Sequence, residues 1–300
     1  MLYNNLSGYL REKYGKRLGK ICIDGGFSCP NRDGKVGRGG CVFCSERGSG
    51  EHIAAGKDIR EQVIRALGRD AYDGYIAYFQ NYTNTYAPIP VLKERYDEAL
   101  IDERIKILAI GTRPDCIDEE VARLIASYLD RVDVWVELGL QSSSDRTARI
   151  INRGYESEAF LRATEILRAH GIPVVAHMII GLPGEGEREV LETADFLNRA
   201  GVFGVKIHSL YVAEGTALEK TYREGGYIPI ELSEYARICA GVIARLSPEI
   251  IIHRVTGDCP RELLVAPMWN LDKNRIIDEI NYALSRDGLR QGSLYKSESM

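Results

Sequence analysis

The sequence predicts an α/β protein whose core is a partial (βα)6 barrel, followed by a small C-terminal α/β extension. Short apolar or β-branched runs alternate with amphipathic stretches of helical period, which is the pattern of βα units around a parallel sheet. Polar or glycine-rich segments follow the strands of that pattern, where such barrels carry their functional groups. With 300 residues, 45% of them hydrophobic, the chain is long enough to bury the core that this fold needs.

The apolar runs predict six strands, at 20–24, 75–79, 105–110, 133–138, 174–180 and 205–210. Apolar residues spaced three or four apart predict helices at 59–68, 89–101, 119–129, 144–151, 157–170 and 188–200, the last of which ends before Gly201. A helix at 232–246, a strand at 250–255 and a helix around 274–284 complete the pattern, and the polar tail 291–300 is expected to fray. We therefore predict a core at 15–246 and a C-terminal extension at 247–300.

The charge and cysteine content indicate a protein of a reducing compartment. The net charge is -4, but residues 1–60 carry eleven Lys and Arg against six Asp and Glu. A basic end on an acidic protein can hold a polyanion, although a solvated surface explains the pattern as well. Seven unevenly spaced cysteines argue against a disulfide framework, and no signal peptide or long apolar stretch is present. We predict a cytoplasmic protein with no membrane association.

Cys29, Cys41 and Cys44 lie in a glycine-rich loop after the first predicted strand, and no fourth cysteine follows closely. Three thiolates can hold a metal centre with one coordination position open, which is typical of catalytic rather than structural metal sites. The alternative is a zinc ion completed by His52 or Cys22, in a non-catalytic, zinc-dependent RNA-binding protein. The pattern favours a metal centre that accepts a guest molecule.

The loops after the later strands are rich in amide, hydroxyl and carboxylate groups. Such loops converge at one edge of a parallel sheet, so their side chains are expected to meet the cysteines. The segments concerned are 80–85, 111–115, 137–142, 181–185 and 208–216.

Four motifs together resemble the radical S-adenosylmethionine (SAM) superfamily. They are the three cysteines with Phe43 between the last two, the EXGXQS run at 137–142, Asn-Arg-Gly at 152–154 and GLPGE at 181–185. Within that superfamily the chain resembles the YhcC/YtqA branch, which is distantly similar to the catalytic subunit of Elongator. The resemblance covers about 15–245, and the eleven residues between the first two cysteines exceed the most common spacing, as they do in that branch. It implies a partial TIM-like radical SAM barrel.

The resemblance implies a [4Fe-4S] cluster and SAM as cofactors. The three thiolates would bind three irons, and the fourth iron would chelate the amino and carboxyl groups of SAM. Reduction by an external donor such as flavodoxin or ferredoxin would generate a 5′-deoxyadenosyl radical that takes a hydrogen atom from the substrate. The implied cofactor contacts are Phe43 at adenine, Arg153 at the SAM carboxylate, Glu137 and Gln141 at the methionine or ribose, and Gln80 and Asn81 at the amino end.

The remaining histidines and cysteines have simpler interpretations. A cofactor contact and a core position are equally favoured interpretations of His208, whereas His177 is interpreted as a structural histidine. Four cysteines are interpreted as buried or inert rather than as auxiliary ligands: Cys22, Cys116, Cys239 and Cys259.

Transfer RNA is the substrate that the resemblance favours. Basic and aromatic residues interleave at 9–17, and Arg32, Lys35, Arg38 and Arg47 lie in the cysteine loop, which suits phosphates and unpaired bases. Elongator-like relatives act on wobble uridines, and YtqA-like members are linked to conversion of the 5-carboxymethylaminomethyl group to 5-aminomethyl. A helix with solvated charges explains 9–17 nearly as well. A radical SAM enzyme acting on a small metabolite or another macromolecule is the alternative.

The C-terminal extension contributes four candidate substrate contacts. A polar and aromatic cluster beside a strand end is unusual for packing alone. The candidates are Arg254, Asp258, Trp269 and Lys273, in a region that otherwise closes the open side of the barrel.

Overall fold

The structure, a computed structural model, describes residues 2–48, 50, 53, 58–69 and 72–296. Its strands are β1 (Gly19–Ile23), β2 (Tyr75–Phe79), β3 (Ile105–Thr112), β4 (Asp133–Gln141), β5 (Val174–Ile180), β6 (Gly204–Ser209), β7 (Val212–Ala213), β8 (Ile251–Arg254) and β9 (Leu264–Ala266). Seven of them form one parallel sheet in the order β1-β2-β3-β4-β5-β6-β8, curled into a half-barrel. The short strands β7 and β9 pair antiparallel beside it.

Ten α-helices lie within the described residues. They are α1 (Leu6–Tyr14), α2 (Ile59–Leu67), α3 (Ile89–Ala99), α4 (Glu119–Ala126), α5 (Asp145–Ile150), α6 (Ser157–Ala169), α7 (Glu187–Ala200), α8 (Ala217–Arg223), α9 (Leu232–Arg245) and α10 (Lys273–Arg286). Short 3-10 helices occur at Pro114–Cys116 and Met268–Leu271. In the described parts of the chain no helix combines the length and apolar character needed to cross a bilayer.

The predicted partial (βα)6 barrel is confirmed. Each predicted strand is present, and β8 adds a seventh strand that pairs parallel with β6. Gly201 ends α7 in the left-handed conformation, with φ of 64°, so the helix stops where the sequence predicted. Helix α8 and strands β7 and β9 were not predicted, since each is short. The division into a core at 15–246 and an extension at 247–300 stays a prediction.

Helix α1 occupies the amino end of the barrel, opposite the end where the cysteine loop leaves β1. Leu10 is buried there with the apolar residues of the barrel interior, and Tyr9 packs edge-on against Phe203 just before β6. Lys13 forms a 2.7 Å salt bridge with Asp133 at the start of β4. Some of the basic and aromatic residues at 9–17 therefore attach this helix, as the alternative interpretation of the segment allows, and contact of the segment with RNA stays a prediction.

The first part of the polar tail is anchored, and the expectation that it frays is wrong for residues 291–294. The side-chain nitrogen of Gln291 donates to the carbonyl oxygens of Ser247 and Ile250, at 2.7 and 2.8 Å. Its side-chain oxygen accepts from the backbone N–H of Asn4 at 2.7 Å. An amide can satisfy three backbone groups at once, here one buried and two partly buried, which a count of polar residues does not reveal. Residues 297–300 lie outside the described residues.

Gln291→Ala is expected to destabilise the protein by about 2 kcal/mol, because it leaves buried and partly buried backbone groups without partners. The neighbouring Arg290 is exposed, so Arg290→Ala is the matched control and should change stability by less than about 0.5 kcal/mol. Chemical denaturation followed by circular dichroism measures both. Equal stabilities for the two variants would show that Gln291 does not hold the tail.

Candidate cofactor and substrate site

One cavity of about 610 Å³ opens at the carboxyl end of the sheet and extends down its concave face. This volume is within the range of pockets that bind small molecules and cofactors. It brings together eleven of the predicted site residues: Cys29, Cys41, Cys44, Phe43, Gln80, Glu137, Gln141, His208, Arg254, Asp258 and Lys273. The loops and the C-terminal region therefore share one site, as the convergence of strand ends predicts.

Three predicted site residues do not line this cavity. Arg153 is fully buried, and its guanidinium donates to the backbone carbonyl oxygens of Leu140 and Ser142. Trp269 donates to the carbonyl oxygen of Ile230 at 3.1 Å and packs on the apolar core. Asn81 is buried, and its side-chain oxygen has no hydrogen-bond partner within the described residues. Their contacts with cofactor or substrate stay predictions.

The three cysteines lie on one wall of the cavity. The hydrogen bond with Cys44 lowers the pKa of the Cys41 thiol, burial opposes that shift, and the positive charge of Arg113 reinforces it. No three His, Cys, Asp or Glu side chains in the described ranges are arranged to hold a single metal ion. His52, the proposed partner of a zinc site, lies outside those ranges, and Cys22 lies on the cavity wall.

The Asn-Arg-Gly motif ties the cysteine loop to the barrel. Asn31 donates to the carbonyl oxygen of Asn152 at 2.6 Å, and Asn152 donates back to that of Gly40 at 2.7 Å. Gly154 has φ of 82°, and a Cβ there would lie 2.9 Å from Val36 and 3.0 Å from Asn31. The motif thus fixes where the loop carries its sulfurs.

The EXGXQS run positions side chains along β4. A Cβ on Gly139 would lie 2.6 Å from the amide nitrogen of Gln141, so glycine leaves room for that side chain. Gln141 itself adopts φ of 60°, at a bulge where the pairing of β4 with β5 shifts. Ser142 then donates to Glu185 of the GLPGE motif. The two motifs are parts of one structure at the carboxyl ends of β4 and β5.

A buried charged network lies below these motifs. Glu137 accepts hydrogen bonds from Lys206 and from His177, the latter at 2.7 Å, and from the indole of Trp135 at 3.1 Å. Burial opposes ionisation of Glu137, but the charge of Lys206 and the hydrogen bond from His177 outweigh it and hold its pKa well below the usual range. Burial lowers the pKa of Lys206 to about 7. The network places an ionised carboxylate inside the barrel.

The histidines and remaining cysteines are distributed between this site and the core. His177 is hydrogen-bonded, as a structural histidine should be, yet it also lines the cavity. His208 lines the cavity too, and its Nε2 is buried with no partner in the described chain. Cys239 is buried in the core, as predicted. Burial raises the pKa of the Cys116 thiol to about 12, and Cys259 packs against Ala213 and Leu264.

Several cavity residues were not singled out from the sequence. Arg113 forms a bidentate pair with Asp115, at 2.9 and 2.7 Å, and donates to the carbonyl oxygen of Arg153 at 3.0 Å. Its position in a polar loop after the third strand was the signal that could have identified it. Lys20 and Lys206 lie within strands. Their alternation with apolar neighbours shows that the lysine side chains lie on one face of the sheet, but it does not show which face lines a cavity.

Comparison with known proteins gives a family match over most of the chain. Residues 33–197 match the model of the Radical SAM superfamily, and residues 202–286 match that of the Radical_SAM C-terminal domain. YtqA of Bacillus subtilis (strain 168) is 38% identical over 299 residues, covering 98% of this chain and 93% of the relative. YhcC of Escherichia coli (strain K12) is 37% identical over 295 residues, covering 98% and 96%.

More distant matches extend the comparison. A protein named tRNA uridine(34) acetyltransferase, from Dehalococcoides mccartyi (strain CBDB1), is 32% identical over 163 residues, which is 53% of this chain and 35% of that protein. The solved structure of Elp3 from the archaeon Methanocaldococcus infernus superposes with a TM-score of 0.67 at 19% identity, covering 91% of this chain and 64% of that one. The structural match supports the fold.

Gly154→Ala is expected to disturb the cysteine loop, because the added Cβ meets both Asn31 and Val36. Gly171 also has a positive φ, of 71°, but a Cβ there meets nothing within 4 Å, so Gly171→Ala is the control for backbone strain alone. Gly171→Ala should lose about 1 kcal/mol of stability, and Gly154→Ala should lose at least as much. Only Gly154→Ala should change, several-fold, the alkylation rates of Cys29 and Cys41 in the apoprotein, measured by mass spectrometry. Identical alkylation rates in both variants would contradict the conclusion that the Asn-Arg-Gly motif fixes the position of the cysteine loop.

Proposed function

The chain belongs to the radical SAM superfamily, and from this premise we propose that it modifies the wobble uridine of transfer RNA, converting the 5-carboxymethylaminomethyl group to 5-aminomethyl. The resemblance inferred from the motifs is confirmed by the family match and by relatives that span nearly the whole chain. The observation that supports an anionic substrate is the charge of the cavity. Six Lys and Arg side chains line it against two Asp and Glu, among the described residues.

A [4Fe-4S] cluster and SAM are the cofactors of this superfamily, which agrees with the prediction from the sequence. When bound, they supply after one-electron reduction a 5′-deoxyadenosyl radical that takes a hydrogen atom from the substrate. The donor set fits: Cys29, Cys41 and Cys44 face one cavity, and a nearby guanidinium favours the thiolate of Cys41. We propose that these three residues hold the cluster and leave one iron for SAM.

The other residues of this wall would orient SAM and exclude water. Phe43 packs beside the apolar cluster around Ile151 and Leu182 and presents a surface for adenine. Gln80 and Gln141 carry amide groups on the same wall. We propose that Arg113 and Arg153 place positive charge behind the thiolates, in addition to the SAM contact predicted for Arg153.

The substrate in this proposal is inferred from the relatives. One of them is named for uridine 34 of tRNA, and its match covers about half of this chain. A uridine carrying a carboxylate would suit a basic cavity, and RNA phosphates would suit its surroundings, where Lys35 and Arg38 of the cysteine loop are exposed. The location we propose is the cytoplasm, where tRNA occurs, with an external electron donor such as flavodoxin or ferredoxin.

The metal centre is testable by colour and iron content. Protein purified without oxygen should be brown and contain about four irons per chain, the content of one cubane cluster. Cys29→Ala, Cys41→Ala and Cys44→Ala should each lose the colour, because each removes a ligand. Cys239→Ala, in the apolar core, should keep it. A colourless protein that holds zinc would instead support the non-catalytic alternative.

Mass spectrometry of tRNA nucleosides tests the substrate. Cells that lack the protein should accumulate 5-carboxymethylaminomethyl uridine and lose most of the 5-aminomethyl form, because the proposed step connects the two. Reintroducing the wild-type gene should reverse the change, and reintroducing a gene that encodes the Cys41→Ala variant should not. An unchanged wobble-uridine profile would exclude this substrate and favour a small metabolite or another macromolecule.

A further inference from the structure

Three cationic side chains converge on the floor of the cavity. In the register of the parallel strands, Lys206 of β6 stands beside His177 of β5 on one side and beside Arg254 of β8 on the other. Paired residues of neighbouring parallel strands present their side chains on the same face of a sheet. Lys20 reaches the same region from β1, the opposite edge of the sheet, so the curl of the half-barrel brings both edges to one place.

Two of these cations lie close to the same aromatic ring. The Nζ of Lys206 lies 4.3 Å from the centre of the Tyr78 ring, and the Nζ of Lys20 lies 5.2 Å from the same centre. The side chain of Lys206 is 5% exposed, so its charge is well shielded from water. A cation–π contact of this kind stabilises an ammonium group but does not neutralise it.

The carboxylates of the floor do not balance its cations. Glu137 is shared between Lys206 and His177, and Asp258 is shared between Arg254, at 3.1 Å, and Lys273, at 2.6 Å. Lys20 has no salt bridge to any residue in the described part of the chain. Four Lys and Arg therefore face two carboxylates. Lys206 is nearly buried whereas Lys20 is exposed, and a cavity lined by an excess of one sign of charge attracts ligands of the opposite sign.

We propose that Lys20, Lys206 and Arg254 form a subsite for the carboxylate of the substrate's carboxymethyl group. This inference rests on the proposed function and names the part of the chain that would read the modification. The low pKa of Lys206, which burial lowers to about 7, rises once a second anion lies beside it. Arg254 offers a planar pair of donors that suits a carboxylate.

The position of the subsite favours a carboxylate over a backbone phosphate. It lies on the floor of the barrel, whereas the cysteines lie at the carboxyl ends of the strands. A wobble uridine that is unstacked from its neighbours and enters from this end with its 5-substituent leading would bring the carboxylate, the far end of that substituent, to the floor. Its phosphates stay near the mouth. The carbon that loses hydrogen is one bond, about 1.5 Å, from the carboxylate carbon.

Anchoring the carboxylate therefore fixes the reacting carbon. A group held by three cations has little freedom one bond away, and a fixed distance between hydrogen donor and acceptor carbon is the main contribution a protein makes to such a step. After hydrogen abstraction the substrate carbon would return one electron to the cofactor and add water, and its bond to nitrogen would break. The carboxymethyl unit would then leave as glyoxylate, with SAM as the two-electron oxidant that ends as methionine and 5′-deoxyadenosine. The 5-aminomethyl product lacks the carboxylate, so it loses its contact with the subsite and is released more readily. The same cations thus select the substrate and reject the product.

Binding of three small probes to the cluster-loaded protein tests the subsite by calorimetry. The probes are 5-carboxymethylaminomethyl uridine, its carboxamide analogue and uridine 5′-monophosphate. The wild type should bind the carboxylate at least about tenfold more tightly than the carboxamide, because a charge-assisted hydrogen bond contributes that much. Lys20→Met and Arg254→Met should reduce this ratio to about twofold, while Lys20→Arg should keep most of it.

Controls separate this inference from the proposed function. Lys93→Met, on the outer helix α3, removes a charge from the surface and should leave the ratio unchanged. Lys206→Met is less informative alone, since it leaves Glu137 buried without its main partner, so it is made together with Glu137→Gln. Failure of the wild type to convert tRNA would sink the proposed function. Equal binding of carboxylate and carboxamide by the wild type, an unchanged ratio in Lys20→Met and Arg254→Met, or tighter binding of the monophosphate, would overturn the subsite.

Discussion

The site depends on the attachment of the long cysteine loop to the rigid barrel. Loops of this length have many conformations, so sulfurs carried on one reach fixed positions only if the loop is held at several points. The hydrogen bonds between Asn31 and Asn152 and between Asn152 and Gly40 provide two such points, and Gly154 lets the backbones approach. Arg153 connects the same segment to the carboxyl end of β4. A short motif far from the cysteines in sequence thereby determines where they lie.

The interior of the half-barrel explains why its floor is charged. A closed barrel of eight strands fills its centre with apolar layers, whereas seven strands in an open curl leave the concave face available. Apolar packing occupies the amino end, where α1 adds Leu10 to the interior cluster. The floor of the cavity, at the middle of the strands, carries Glu137, His177, Lys206 and Arg254, which would be unfavourable in a dry core. Their charges are tolerable there because the cavity admits solvent or a polar ligand.

The sequence predicted the six βα units and eleven of the residues that line the cavity, the three cysteines among them, because these follow from periodicity and from the convergence of strand ends. It did not predict the seventh strand's place in the sheet, since pairing of β8 with β6 is a long-range contact. Arg153 is fully buried behind the cavity wall, and Trp269 packs on the core. A motif shows which residues matter, but only the folded chain shows whether a side chain touches a ligand or holds a loop. Lys20 and Lys206 were not predicted as site residues, because lysines in strands usually face solvent.

Strand β4 links the two ends of the cavity. Gln141 stands at its carboxyl end, near the cysteines, and Glu137 lies four residues earlier, in the charged network of the floor. At about 3.3 Å per residue, the strand separates the two by about 13 Å. It pairs with β3 on one side and β5 on the other, so this separation cannot change without breaking both ladders. A radical formed beside the cysteines and a substrate anchored on the floor would therefore meet at a distance set by a central strand. If the proposed substrate binds in this way, that geometry would need no moving part to bring donor and acceptor together, and the length of the substrate's side chain would become a criterion of selection.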